Sequence, residues 1–325
     1  MNTIQIPGLT QQASRICLGT WAMGGWMWGG SDEDEAVKTI HKALEMGINM
    51  IDTAPVYGFG ASEKIIGKAL KHHADREKVI LATKVGLEWG NGKVIRNASP
   101  KRIQQEVEDS LKRLQTDYID LYQIHWPDEH TPFEETAHAL VSLLESGKIR
   151  AIGLSNFSIS QIETFLQFAP VHTIQPPYNL FERSIEKDIL PFAEKEGMIT
   201  LAYGSLCRGL LSGKMTADRQ FTGDDLRKND PKFQEPQFSQ YLKTVAALDA
   251  FAKENYQKTV LALAIRWVLD KGHTIALWGA RHPEQLAQVN EAMGWSLDAG
   301  AMKEIDKILH QFIQKDVGPE FMAPP

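Results

Sequence analysis

Short, almost wholly apolar runs alternate along this chain with longer stretches in which apolar residues return every three or four positions. The runs fall at 15–18, 50–52, 79–84, 118–125, 149–155, 173–178, 199–203 and 274–278. Runs of this length without a polar face suit strands of a parallel sheet, which helices cover on both sides. The first helical stretch carries Ala36, Val37, Ile40, Ala43 and Leu44 on one face, with Ser31 as its cap and Met46-Gly47 as its stop. Further helices are expected at 62–70, 100–114, 133–146, 158–168, 183–196, 260–270 and 283–290. Eight strands, each followed by a helix, predict the α/β class and a closed (β/α)₈ TIM barrel whose chemistry sits on the loops after the strands. Two segments exceed that minimum. Residues 214–255 form a long insertion, polar through Asp230 and Gln237 and helical from about Ser239, while 297–313 reads as an extra C-terminal helix followed by an extended Pro324-Pro325 tail. The chain is read as one domain, 1–325, since α/β barrels commonly exceed 200 residues as one unit.

Composition narrows the partners. A hydrophobic fraction of 43% supplies a large core, and a formal charge of −6 with interspersed lysines and arginines leaves no basic footprint for nucleic acid or anionic lipid. Cys17 and Cys207 lie too far apart in sequence to suggest a disulfide framework. The N-terminus lacks a secretory pattern, and no stretch approaches 18 apolar residues, so a cytoplasmic protein without a membrane span is expected. The oligomeric state stays open, with a monomer as the default.

Three strand ends carry four ionisable side chains: Asp52 with Tyr57 shortly after it, Lys84 and His125. Together they form a kit for protonating a carbonyl oxygen. Tyr57 is the candidate acid, and an ammonium nearby favours the phenolate and draws its pKa toward the working range. Lys84 supplies that charge, and Asp52 pairs with it so that it stays charged at an apolar barrel mouth. His125 shares a strand face with Leu121 and Gln123 and lies over the mouth, where it orients the carbonyl or relays a proton.

These residues also carry a resemblance. Asp52 to Gly58, the strand-end Lys84, His125-Trp126-Pro127, Gly153-Leu154-Ser155-Asn156-Phe157, Gln175 with Tyr178-Asn179, and Tyr203 follow the order of the aldo-keto reductases, which the chain resembles from Gly19-Thr20-Trp21 to Gly279-Ala280-Arg281. Segments 204–211, 224–227 and 318–325 look most like the bacterial branch that includes general-stress and inositol-operon reductases. Singly, Asp-Thr-Ala-Pro after a strand is a turn, a lysine closing a strand is a solvated charge, and a histidine before Trp-Pro is a packed side chain. All four in this order favour chemistry.

The resemblance implies NADPH-dependent reduction of aldehydes and ketones, with NADP(H) extended across the barrel mouth. Gly19, Thr20, Trp21 and Asp52 then border the cofactor, Ser155, Asn156 and Gln175 meet the nicotinamide amide, and Tyr203 stacks beneath the ring before the turn Gly204-Ser205-Leu206. No Gly-x-Gly-x-x-Gly follows a strand, because Gly58-Phe59-Gly60 runs on into Ala61-Ser62-Glu63. The adenosine 2′-phosphate is expected at Gly279, Ala280 and Arg281, at a helix start. Trp278 and Gly279 replace the family's usual proline and lysine there, which removes one cation. Gln285 and Asn290 are adenine candidates, and Arg208, Lys214 and Arg227 are candidates for the pyrophosphate or for closing a lid.

On the substrate side, Trp21, Trp26, Trp28, Trp89 and Trp126 fall in loops after strands and suggest an apolar pocket, at least two of them serving only to pack the loops. A hydrolase is disfavoured by the lack of Gly-x-Ser-x-Gly. No metal site is expected: His72-His73 is adjacent in a polar helix end, and neither His-x-x-x-His nor Cys-x-x-Cys occurs. The rival function is a cofactor-sensing subunit like those of potassium channels, a role the same fold serves.

Overall fold

The computed structural model describes residues 1–71, 75–90 and 93–324; His72-His73 lies outside them. In chain order the strands are β1 (Thr3–Gln5), β2 (Gln12–Ser14), β3 (Ile16–Gly19), β4 (Met50–Asp52), β5 (Ile80–Val85), β6 (Leu87–Gly90), β7 (Lys93–Arg96), β8 (Ile119–Ile124), β9 (Ile149–Ser155), β10 (Thr173–Gln175), β11 (Ile199–Ala202) and β12 (Thr274–Gly279). The helices are α1 (Glu33–Glu45), α2 (Ala61–Leu70), α3 (Pro100–Leu114), α4 (Phe133–Glu145), α5 (Ile159–Leu166), α6 (Ile189–Lys195), α7 (Gln237–Tyr256), α8 (Val260–Leu269) and α9 (Ala299–Phe312).

Strands β3, β4, β5, β8, β9, β10, β11 and β12 close, all parallel, into the expected (β/α)₈ barrel. The interior holds Cys17, Met50, Ile80, Ala82, Leu121, Ala151, Leu201, Ile275 and Leu277, and the outward faces of the strands pack against the helices in one larger core. The antiparallel pair β1–β2 brings Ile6, Leu9 and Ala13 into the interior cluster and covers the bottom of the barrel. That hairpin was not predicted, because each of its strands is only three residues long.

Several boundaries differ for local reasons. Asp32, not Ser31, caps α1 by accepting from Glu35 N at 3.0 Å, since the Ser31 hydroxyl donates to Met23 O at 2.6 Å. The helix expected at 283–290 is a pair of 3₁₀ turns, Pro283–Leu286 and Val289–Ala292. The stretch 183–196 divides into a 3₁₀ turn, Ser184–Lys187, and α6. The insertion is helical from Gln237, as α7, after two short 3₁₀ turns. A second unpredicted hairpin, β6–β7, follows β5 beside the mouth. Among the described residues no helix is long and apolar enough to cross a membrane.

Candidate active site

Asp52 ends β4, Lys84 lies near the end of β5 and His125 follows β8, so the parallel register delivers all three to one end of the barrel. Tyr57 reaches them from a turn after β4. Gly24 fixes that turn: a Cβ there would sit 2.5 Å from Tyr57 C, so only a glycine lets the two backbones approach so closely. The turn then enters α2, whose buried Glu63 accepts from Thr83 at 2.7 Å and from Arg113 at 2.6 Å, tying the helix after Tyr57 to the outer face of the strand that carries Lys84.

Lys84 is fully buried and sits between its partners. Its Nζ donates to Asp52 Oδ1 at 2.5 Å, to Thr53 O at 2.9 Å and to the Tyr57 hydroxyl at 3.3 Å. The Tyr57 ring stacks on Trp21 with centroids 5.8 Å apart and meets the His125 ring edge-on at 5.7 Å. The four residues selected from sequence thus converge.

The electrostatics differ from expectation at one point. Burial pushes the Tyr57 phenol above its ordinary value, and although the Lys84 charge and hydrogen bond pull it down, Asp52 adds to the rise. Lys84 therefore tempers the phenol without bringing it below the value of free tyrosine. Burial also pulls at the Lys84 ammonium, but Asp52 and Tyr57 together hold it above its usual range. Burial, reinforced by Lys84, drives His125 well below the usual imidazole value, so the ring is neutral at pH 7.

Above this cluster opens a cavity of about 1300 Å³. Gly19, Thr20, Trp21, Asp52, Ser155, Asn156, Gln175, Tyr203, Gly204, Ser205, Leu206, Gly279, Ala280 and Gln285 all line it, as do Trp26, Trp28, Trp89 and Trp126. Asn290 does not: it is exposed on the second 3₁₀ turn, away from the lining. Asn156 lines the cavity, but its amide is engaged within the protein. Nδ2 donates to His125 O and Ser155 Oγ, both at 3.0 Å, and Oδ1 accepts from the Tyr203 hydroxyl at 2.9 Å. It holds the candidate stacking ring and the His125 backbone in place.

The cations divide into two groups. Arg208 faces the cavity, but its guanidinium binds Asp230 at 2.5 Å and Glu182 at 2.6 Å in a buried cluster that Lys232 joins through Glu182 at 2.8 Å. Arg208 thus braces the insertion, the second of the two roles expected for it, and the cost of leaving buried carboxylates unpaired keeps it there. Arg227 is likewise paired, with Asp225 at 2.6 Å. Among the described residues Lys93, Lys214, Arg219 and Arg281 line the cavity with no carboxylate in salt-bridge range. Arg219 was not singled out from sequence, since a lone arginine in a polar loop carries no signal.

The expected phosphate site after β12 also differs. The Arg281 and His282 N–H groups donate to Gln285 Oε1, and Arg281 donates to the carbonyls of Trp28 and Gly30, each at 3.0 Å. There is thus no long helix with open N–H groups at this point. The opposite wall gathers Ala54, Val56 and Leu87 with Trp26, Tyr57, Trp89, Val94 and Trp126. The C-terminal tail completes the rim through Phe321, Met322, Ala323 and Pro324, and Arg96 holds Pro324 O at 2.8 Å. The tail was expected as an extended end, but nothing in its composition says that it lies at the rim.

Comparison with known proteins agrees with this fold. The family model described as Aldo/keto reductase family matches residues 15–310. The chain is 59% identical over 315 residues to Aldo-keto reductase YhdN of Bacillus subtilis, covering 97% of this chain and 95% of that one. It is 38% identical to the NADH-specific methylglyoxal reductase of Escherichia coli, with 92% and 96% covered. The solved structure of the glycerol dehydrogenase AKR11B4 from Gluconobacter oxydans superposes with a TM-score of 0.91 at 55% identity, covering 99% of each chain.

Proposed function

The chain belongs to the aldo/keto reductase family, and from that premise we propose that it reduces aldehydes and ketones to alcohols reversibly, with NADPH as hydride donor and Tyr57 as general acid. The observation that carries this reading is the Lys84 ammonium set between the Asp52 carboxylate and the Tyr57 hydroxyl at the floor of the cavity. The donor set suits the cofactor: Ser155 and Gln175 offer hydrogen-bonding groups on the floor, Tyr203 an aromatic face, and Lys214, Arg219 and Arg281 charges for phosphates. When bound, the dinucleotide supplies the hydride.

The protein's own groups do the rest. Tyr57, protonated at neutral pH, delivers the proton to the carbonyl oxygen, and Lys84 stabilises the phenolate left behind. His125, being neutral, orients the carbonyl through a ring N–H; an imidazole held so far below its usual range is a poor proton donor. The tryptophan wall accepts the apolar part of the substrate and excludes water.

Loss of reduced-nicotinamide absorbance with 4-nitrobenzaldehyde or methylglyoxal tests the reading; no loss with any carbonyl favours a cofactor-sensing role instead. The pH profile tests the acid. Reduction needs the protonated phenol, so kcat/KM is expected to hold through neutrality and to fall as pH climbs past about 10, since burial has raised the phenol. Alcohol oxidation, which needs the phenolate, is expected to rise over the same interval. A reductive limb that falls below pH 8 would assign the proton to another group.

Cofactor choice rests on the unpaired cations. Arg281→Ala is expected to weaken NADPH binding about tenfold or more, as a lost charged contact to phosphate would, with little change for NADH. Equilibrium titration of both dinucleotides checks this. Equal losses would instead assign Arg281 to holding the Trp28–Gly30 loop, whose carbonyls it binds.

A further inference from the structure

Gln123 has no role in the scheme above, yet it is wholly buried two residues before His125 on β8, in register with Lys84 on β5 and Gly153 on β9. The glycine makes room for it: a Cβ at Gly153 would lie 2.8 Å from Gln123 Cγ and 2.4 Å from Thr173 Oγ1. Both ends of its amide are engaged. Nε2 donates to Asp52 Oδ2 at 3.0 Å, and Oε1 accepts from Gln175 Nε2 at 3.0 Å. Gln175 Nε2 also donates to Asp52 Oδ2, at 2.9 Å.

A primary amide has two hydrogens on nitrogen and an oxygen that only accepts, and the two ends are nearly identical in shape. What orients it is its partners. Asp52 takes one hydrogen of Gln175, and Gln123 takes the other. Turning Gln175 over would set its oxygen against a carboxylate oxygen and an amide oxygen, both about 3 Å away and sealed from water, where an unmade hydrogen bond is expensive. With both hydrogens engaged, the only side-chain group Gln175 offers the cavity it lines is its oxygen.

We propose that Gln123 is a positioning residue that consumes the second amide hydrogen of Gln175, so that Gln175 presents an acceptor alone and the cavity selects a dinucleotide whose ring substituent donates an N–H. This rests on the nicotinamide reading above and deepens it. Asp52 binds both glutamines and Lys84, so the same carboxylate that pairs with the catalytic ammonium also fixes which ring substituent is recognised.

The test compares NADPH with its 3-acetylpyridine analogue, in which a methyl ketone replaces the carboxamide and no N–H remains. Dissociation constants are read from quenching of indole fluorescence and need no turnover. Wild type is expected to bind NADPH more tightly by about tenfold, the worth of one hydrogen bond. Gln123→Met leaves the second Gln175 N–H unpaired and removes one of the two groups that oppose a turned amide, so the ratio is expected to fall toward one. Gln123→Glu, kept protonated by the Asp52 carboxylate beside it, supplies a donor to Asp52 and an acceptor to Gln175 and is expected to keep the ratio.

A folded Gln123→Met, or Gln123→Leu if the first does not fold, that weakens both dinucleotides equally and leaves the ratio unchanged would overturn the inference. So would loss of the ratio in Gln123→Glu, or a wild type that binds both equally. A wild type that binds neither dinucleotide would overturn instead the functional reading on which this one stands.

Discussion

Replacing Tyr57 by phenylalanine is expected to lower turnover by about 10²–10⁴-fold, the worth of a placed general acid, while NADPH binding stays nearly unchanged. The split reflects the contacts of the side chain. The hydroxyl makes one hydrogen bond to the protein, with Lys84 at 3.3 Å, and Lys84 retains Asp52 and Thr53 O when it is gone. The ring contacts with Trp21 and His125 need no hydroxyl. Single-turnover rates with saturating NADPH, set beside its dissociation constant, separate the two quantities. A variant as active as wild type would mean that another group delivers the proton.

Lys84→Met is expected to damage both fold and chemistry. It leaves Asp52 buried, with two amide donors but no counter-charge, and breaking such a pair costs about 3–5 kcal/mol. Turnover is also expected to fall, because the phenolate formed at Tyr57 loses the cation that stabilises it. The double variant Asp52→Asn/Lys84→Met removes both charges and is expected to recover most of the stability and none of the activity. Urea unfolding and a carbonyl-reduction assay on the same samples check both halves. A single variant that unfolds with wild-type stability would mean that the pair is not buried as described.

The barrel was legible because a doubly covered strand has to be apolar, and eight such runs cannot be hidden. The reacting cluster was legible for the converse reason: Asp52, Lys84 and His125 are polar exceptions at the ends of those runs. Gln123 was an exception of the same kind, visible by counting back two from His125, but sequence could not say which atoms of its amide face Asp52. The loops were harder, because their partners are remote. Arg208 meets Asp230 and Glu182 across 22 and 26 residues, and Arg281 reaches carbonyls more than 250 residues away. Nothing local distinguishes such an arginine from a solvated one. The stretch 283–290 kept Leu286 and Val289 at helical spacing, yet Gln285 satisfies the preceding N–H groups and the chain tightens into 3₁₀ turns.

The β1–β2 hairpin carries a last consequence. By stoppering the base with Ile6, Leu9 and Ala13 it keeps water from the lower end of an interior already filled by side chains. A plug at that end therefore bears on stability, and the traffic of ligands is left to the opposite face, where the cavity opens.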